Sequence, residues 1–112
     1  MPVLSKEIVA ASSRPLLLSL LKEGESYGYE LIKRLRELSN GEMEWTEGTL
    51  YPVLHRLERE AWVQASWHEA ESGRQRKYYK LTAVGRRALL EEKSQWMFLN
   101  QLLETLWKRT ST

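Results

Sequence analysis

From Thr46 to Glu58 the chain reads Thr-Glu-Gly-Thr-Leu-Tyr-Pro-Val-Leu-His-Arg-Leu-Glu, and no other stretch constrains its fold as much. Thr46 is a natural helix cap: its hydroxyl can accept a backbone N–H that the first turn leaves without a partner. Leu50, Val53, Leu54 and Leu57 recur at intervals of three and four, which sets them on one stripe of a helix over about 47–61. Pro52 falls in or just beyond the first turn, where its missing N–H costs least. The other face carries Gly48, Thr49, Tyr51, His55 and Arg56. Such a helix must bury its leucine stripe and leaves a short-chained, hydroxyl-rich and basic surface outward.

The flanking segments say what it packs against. Residues 4–22 read as a first helix through Ile8, Val9, Ala11, Leu16, Leu17, Leu20 and Leu21. Pro15 should kink or break it near Ser13-Arg14, and Gly24 should close it. Ser26 is expected to cap a second helix over about 27–39, with Tyr27, Leu31, Ile32 and Leu35 buried and Ser39-Asn40-Gly41 ending it. After the third helix, Trp62 to Trp67 alternates as a strand, Glu71-Ser72-Gly73 is a turn, and Arg76 to Leu81 returns with Tyr79 and Leu81 on one face. Thr82 caps a last helix over about 83–108, and the tail 110–112 should fray. The fold class that follows is mainly α with a small β-hairpin: a winged helix-turn-helix plus a long C-terminal dimerisation helix. Residues 1–82 would be the helix-turn-helix unit and 83–109 the dimerisation helix.

Composition narrows the function. A chain of 112 residues holds one small core. It has no cysteine, which removes disulfides and thiolate chemistry and suits a reducing, cytoplasmic setting. No apolar run approaches a membrane span, and no signal peptide is evident at the N-terminus. The net charge of +2 says little, but its distribution is informative. Residues 73–80 carry Arg74, Arg76, Lys77 and Lys80 without an acid, whereas residues 26–60 carry five bases against seven glutamates. Attraction to phosphates would have to come mainly from the hairpin and from helix N-termini.

A short helix followed by a basic hairpin suits DNA reading, because the major groove admits one helix and base edges meet its N-terminal residues. Those are Thr46, Glu47, Gly48, Thr49, Tyr51 and Pro52. Gly48 would allow close approach, the hydroxyls could bond phosphates or base edges, and His55 and Arg56 could reach the backbone one turn later. In the wing, Gly73, Arg74, Arg76, Lys77 and Tyr78 interleave bases with tyrosines, as phosphate and minor-groove contact require. Each feature alone also fits a solvated helix or a charged hairpin edge; their order favours DNA.

The residues resemble the PadR family of transcriptional regulators along nearly the whole chain. The marks are Ser26-Tyr27-Gly28-Tyr29-Glu30-Leu31, Glu47-Gly48-Thr49-Leu50-Tyr51-Pro52-Val53-Leu54 through Leu57-Glu58, Gly73-Arg74 with Lys77-Tyr78-Tyr79, and Leu81-Thr82-Ala83-Val84-Gly85. The size matches the short group with a single C-terminal helix. The resemblance implies a homodimeric repressor on a pseudo-palindromic operator, and it adds Ser26 and Tyr27 to the DNA-binding candidates. Where the family has a glycine ending helix three, this chain has Ala61, followed by a bulky Trp62. Alanine disfavours a left-handed cap, so the path into the first strand is expected to differ.

Leu89, Trp96, Leu99, Leu103 and Leu106 follow a heptad spacing that fits a pairing seam, interrupted once by Glu92. The alternative is that they cover the protein's own core. The resemblance further implies an effector pocket at the dimer centre for a small hydrophobic aromatic compound, with Trp96 stacking on it and Ile8, Ala11, Met97 and Leu99 around it. A tryptophan merely packed at the interface is the competing reading. No catalytic constellation, metal site or cofactor loop is expected: His55 and His68 lie in different elements, and there is no aspartate. The alternative function from a different class is a winged-helix protein-docking module without specific DNA binding.

Overall fold

The computed structural model describes residues 4–110; residues 1–3 and 111–112, including most of the expected frayed tail, lie outside the described residues. The elements are α1 (Lys6–Lys22), β1 (Ser26–Tyr27), α2 (Gly28–Leu38), α3 (Glu47–Arg59), β2 (Val63–Glu69), β3 (Gln75–Leu81) and α4 (Ala83–Thr110).

Ser5 caps α1 by accepting the Ile8 N–H at 3.2 Å. The break expected near Ser13-Arg14 is not there: α1 runs unbroken through Pro15. Proline removes the one donor that would reach the carbonyl of Ala11, an exposed residue that water can serve. The hydroxyls of Ser12 and Ser13 donate back to the carbonyls of Ile8 and Val9 at 2.7 and 2.6 Å. Beyond the proline, Leu17, Leu18, Leu20 and Leu21 are all buried. At roughly 1.5–3 kcal/mol each they outweigh a proline cost of about 3 kcal/mol.

Ser26 does not cap α2, as the sequence reading had it. It is fully buried in β1, where its hydroxyl donates to Glu30 Oε1 at 2.5 Å, and Tyr27 occupies the cap position without a side-chain cap bond. The expected hairpin is therefore a three-stranded antiparallel sheet in the order β1-β3-β2. Register runs from Val63↔Leu81 to Glu69↔Gln75, and Ser26 and Tyr27 pair with Tyr79 and Tyr78. Tyr79, Leu81 and Val63 lie on the buried face, as the alternation required.

Helix α2 ends through Asn40 and Gly41, with φ of 53° and 80°, and the Gly41 N–H returns to the Arg36 carbonyl at 2.8 Å. Trp45 and Leu50 flank the Thr46 cap in the pattern of a hydrophobic staple, and both are buried. The Trp45 indole N–H donates to buried Ser13 at 3.2 Å, tying this loop to α1.

The exit of α3 corrects another expectation. Ala61 adopts the left-handed conformation, φ 61°, that a glycine would take. The N–H groups of Ala61 and Trp62 return to the carbonyls of Glu58 and Leu57 at 3.0 and 2.9 Å, so the cap keeps its ordinary path despite the alanine. Thr82 clamps the junction, donating its hydroxyl to the Ala61 carbonyl at 2.6 Å and accepting the Gly85 N–H at 3.0 Å. Gly85 sits so close to the Trp62 carbonyl that a side chain there would collide with backbone.

The core gathers leucines of α1, α2 and α3 with Met43, Trp45, Val63, Tyr79 and Leu81, and α4 adds Leu89. From Lys93 to Arg109 every residue of α4 is exposed.

Candidate nucleic-acid interface

Helix α3 buries Leu50, Leu54 and Leu57 and turns Glu47, Gly48, Thr49, Pro52, His55 and Arg56 outward. Thr46 is exposed, but its hydroxyl is occupied by the cap: it accepts the Thr49 N–H at 3.2 Å and lies 3.1 Å from the Thr49 hydroxyl. Gly48 is not required by the protein's own packing. A Cβ there would meet only Thr46 Oγ1, at 3.8 Å. Gly28 is the opposite case, since the Tyr51 phenol packs directly against it and leaves no room for a side chain. Tyr51 is accordingly half-buried, with its ring 6.3 Å from that of His55.

The wing turns at residues 70–74, where Gly73 has φ 85° and the Ala70 N–H reaches the Arg74 carbonyl at 2.8 Å. Arg74 and Arg76 are exposed. The Arg76 guanidinium lies 4.2 Å over the Tyr27 ring, which meets Tyr78 edge-on at 5.1 Å; Tyr78 in turn meets His68 at 4.7 Å. Lys77 differs from its neighbours. Its ammonium donates to Glu58 Oε1 of α3 at 3.3 Å and stands 5.3 Å over the Tyr79 ring. Burial alone would lower the Lys77 pKa, but Tyr79 and Glu58 outweigh it and hold the ammonium above its ordinary range. Burial likewise pushes the Tyr79 phenol up. Lys77 thus fastens the wing to α3.

Between α3, the start of α2 and the wing lies a cleft of about 490 Å³. It brings together Tyr27, Glu47, Tyr51, His55, Arg74, Arg76 and Lys77 from the sequence-derived set. Ser26 stays inside the protein, and its hydroxyl is not presented to solvent. Tyr29, Trp67 and Gln75 also line the cleft, although none of them was among the DNA-binding candidates. Trp67 could have been found by alternation, two residues beyond Ala65 and four beyond Val63 on the same strand face.

Residues 17–91 match the Transcriptional regulator PadR-like family. This chain belongs to that family. Its members are transcriptional regulators rather than enzymes, which decides against a catalytic reading. The transcriptional regulator Rv3488 of Mycobacterium tuberculosis is 35% identical over 88 residues, which span 79% of this chain and 78% of that protein. The structure of a transcriptional regulator from Clostridium thermocellum superposes with a TM-score of 0.84 at 28% identity, covering 92% of this chain and 97% of the other. A PadR family regulator from Eggerthella lenta gives 0.80 at 32% identity, covering 95% and 88%.

The remaining candidates of this PadR-like chain lie on α1 and α4. Leu89 is buried in the chain's own core, while Trp96, Leu99, Leu103 and Leu106 are between 36% and 46% exposed. Trp96 and Met97 line a groove of about 510 Å³ between α1 and α4, whereas Ile8, Ala11 and Leu99 do not line it. Glu92, the break in the leucine pattern, is nearly buried. It accepts from Arg14 Nε at 2.6 Å and from the Trp96 indole at 3.3 Å. Among the described residues no cluster could hold a metal ion, and no helix is long and apolar enough to cross a membrane.

Proposed function

We propose that this PadR-like protein is a cytoplasmic, homodimeric repressor that binds a pseudo-palindromic operator and is released by a small hydrophobic aromatic effector. The observation that carries the reading is the pairing of a low, side-chain-poor α3 surface around Gly48 with the basic cleft of the wing. Gly48 has no structural need to be glycine, so the space above it suits a groove wall. Arg74 and Arg76 stand where the phosphate backbone would pass. Residues 4–82 act as the reading unit, and the exposed part of α4 serves as the pairing helix.

The test is fluorescence anisotropy on a duplex from upstream of the protein's own gene, against a scrambled duplex, across a salt series. Wild type is expected to prefer the native duplex and to weaken steeply with salt. Gly48→Ala should fold at least as stably, because alanine favours a helix by about 1 kcal/mol over glycine, yet bind roughly tenfold more weakly. Equal, weak binding of wild type to both duplexes, and to any duplex drawn from a random pool, would sink the reading in favour of a protein-docking module. For the effector, Trp96 and Met97 already wall one apolar groove and Trp96 offers an indole face. A flat aromatic cation such as rhodamine 6G should quench tryptophan emission in wild type, and Trp96→Ala should lose most of that binding. Undiminished binding to the variant would dispose of the stacking role.

A further inference from the structure

The wing carries an indole that the protein's own packing does not use. Trp67 lies in β2 directly opposite Lys77, on the strand face that also presents Val63, Ala65 and Tyr79. Nearer the core those side chains are covered: Val63 is 2% exposed and Tyr79 1%. Trp67, one step outward, is 63% exposed, and its ring makes no hydrogen bond or ring contact among the described residues. An indole open beside a basic cleft, with the 64% exposed Tyr29 lining the same cleft, offers flat apolar surface to a partner.

The surroundings limit what that surface can be. Trp67 faces the cleft between wing and α3, whose rim carries Arg74 and Arg76; Glu47 is the one acid lining it. The bond from Lys77 to Glu58 holds the strand pair against α3, so the indole stands at a fixed offset from the reading helix. A purely apolar partner would strand the two guanidiniums, whereas a nucleic acid backbone offers anionic phosphates and, between them, the apolar faces of its sugars.

We infer that Trp67 is a DNA-contacting residue, its indole face packing on the deoxyribose of the strand that passes between α3 and the wing, at the edge of the minor groove. This rests on the proposed DNA-binding reading. The contact is apolar and releases no counterion, so it adds affinity without adding to the salt dependence.

The experiment uses a duplex selected from a random 30-base-pair pool by the wild-type protein. Trp67→Ala should bind it about tenfold more weakly with an unchanged slope of log affinity against log salt, whereas Arg74→Gln should lower that slope by about one. Trp67→Phe keeps a flat apolar ring. It should retain affinity within about threefold of wild type while losing the DNA-induced change in tryptophan emission, a readout that requires only a folded protein. If Trp67→Ala binds like wild type, the inference falls and DNA binding stands. If wild type selects no duplex, both fall. If Trp67→Ala changes sedimentation rather than DNA affinity, the indole belongs to a contact between copies and the inference is wrong.

Discussion

Ala61 shows how a single residue can hold a conformation its chemistry disfavours. The left-handed region puts Cβ against the following carbonyl and costs a non-glycine residue on the order of 1 kcal/mol. Here two N–H groups return to Glu58 and Leu57, and the Ala61 carbonyl accepts the Thr82 hydroxyl at 2.6 Å. Together these fix the turn, and the strain is carried. Ala61→Gly should therefore relieve it and raise stability by about 0.5–1 kcal/mol, partly offset by the freer unfolded chain. Ala61 is exposed, so no packing is lost. Chemical denaturation of the two proteins at matched concentration is the check, and a glycine variant that unfolds more easily would contradict the account. Gly28 and Gly85 show the converse: their backbones are ordinary, but Tyr51 and the Trp62 carbonyl fill the space a side chain would need.

At the scale of elements, most of the architecture was legible because leucine spacing and caps are local. The stripe of α3, the Thr46 and Thr82 caps, the Asn40-Gly41 stop and the Tyr79/Leu81 face all follow from neighbours in sequence. What was not legible depended on contacts distant in the chain. Strand β1 is two residues long and exists only because β3 pairs with it. Pro15 stays helical because the leucines that follow it in α1 are packed into the core. Lys77 is a wing-to-helix fastener because Glu58, nineteen residues away, meets it. Alternation puts Trp67 on the face of Val63 and Ala65, but nothing local says that the core fails to reach it.

Glu92 belongs to this scale as well, since it joins α1 to α4. Its carboxylate is nearly buried, whereas the Arg14 side chain is 43% exposed and leans 5.5 Å over the Trp62 ring. The two partners are thus unequal. Removing the arginine leaves a buried carboxylate with only the Trp96 N–H, whereas removing the glutamate leaves a guanidinium that can turn to water. Arg14→Met is expected to destabilise by roughly 1–3 kcal/mol. Glu92→Leu, which also extends the apolar row of α4, should cost under about 1 kcal/mol or stabilise. Thermal unfolding at equal protein concentration decides, and the reverse order would show that Arg14 is the partner held by the fold.

At the scale of the molecule, the single chain leaves a long apolar face of α4 open. Its radius of gyration is 16.1 Å, against about 13 Å for a compact domain of this length. Helix α4 is 28 residues long and leaves Trp96, Leu99 and Leu103 between 36% and 46% exposed. Pairing two copies through this face would bury those side chains from both, contributing on the order of 10 kcal/mol. That is comparable to the rotational and translational freedom lost on association, roughly 4–15 kcal/mol. For such a pair to read successive turns of DNA, its two α3 helices would need to lie about 34 Å apart. Because symmetry doubles every change, Leu103→Glu would bury two like charges against each other, at several kcal/mol each. The variant should sediment as a monomer at micromolar concentration. With only one half-site engaged, it should lose at least tenfold in operator affinity while keeping most of its helical far-ultraviolet circular dichroism. A dimer undisturbed by this substitution would mean that the copies meet elsewhere, and that the leucines of α4 are covered by something other than themselves.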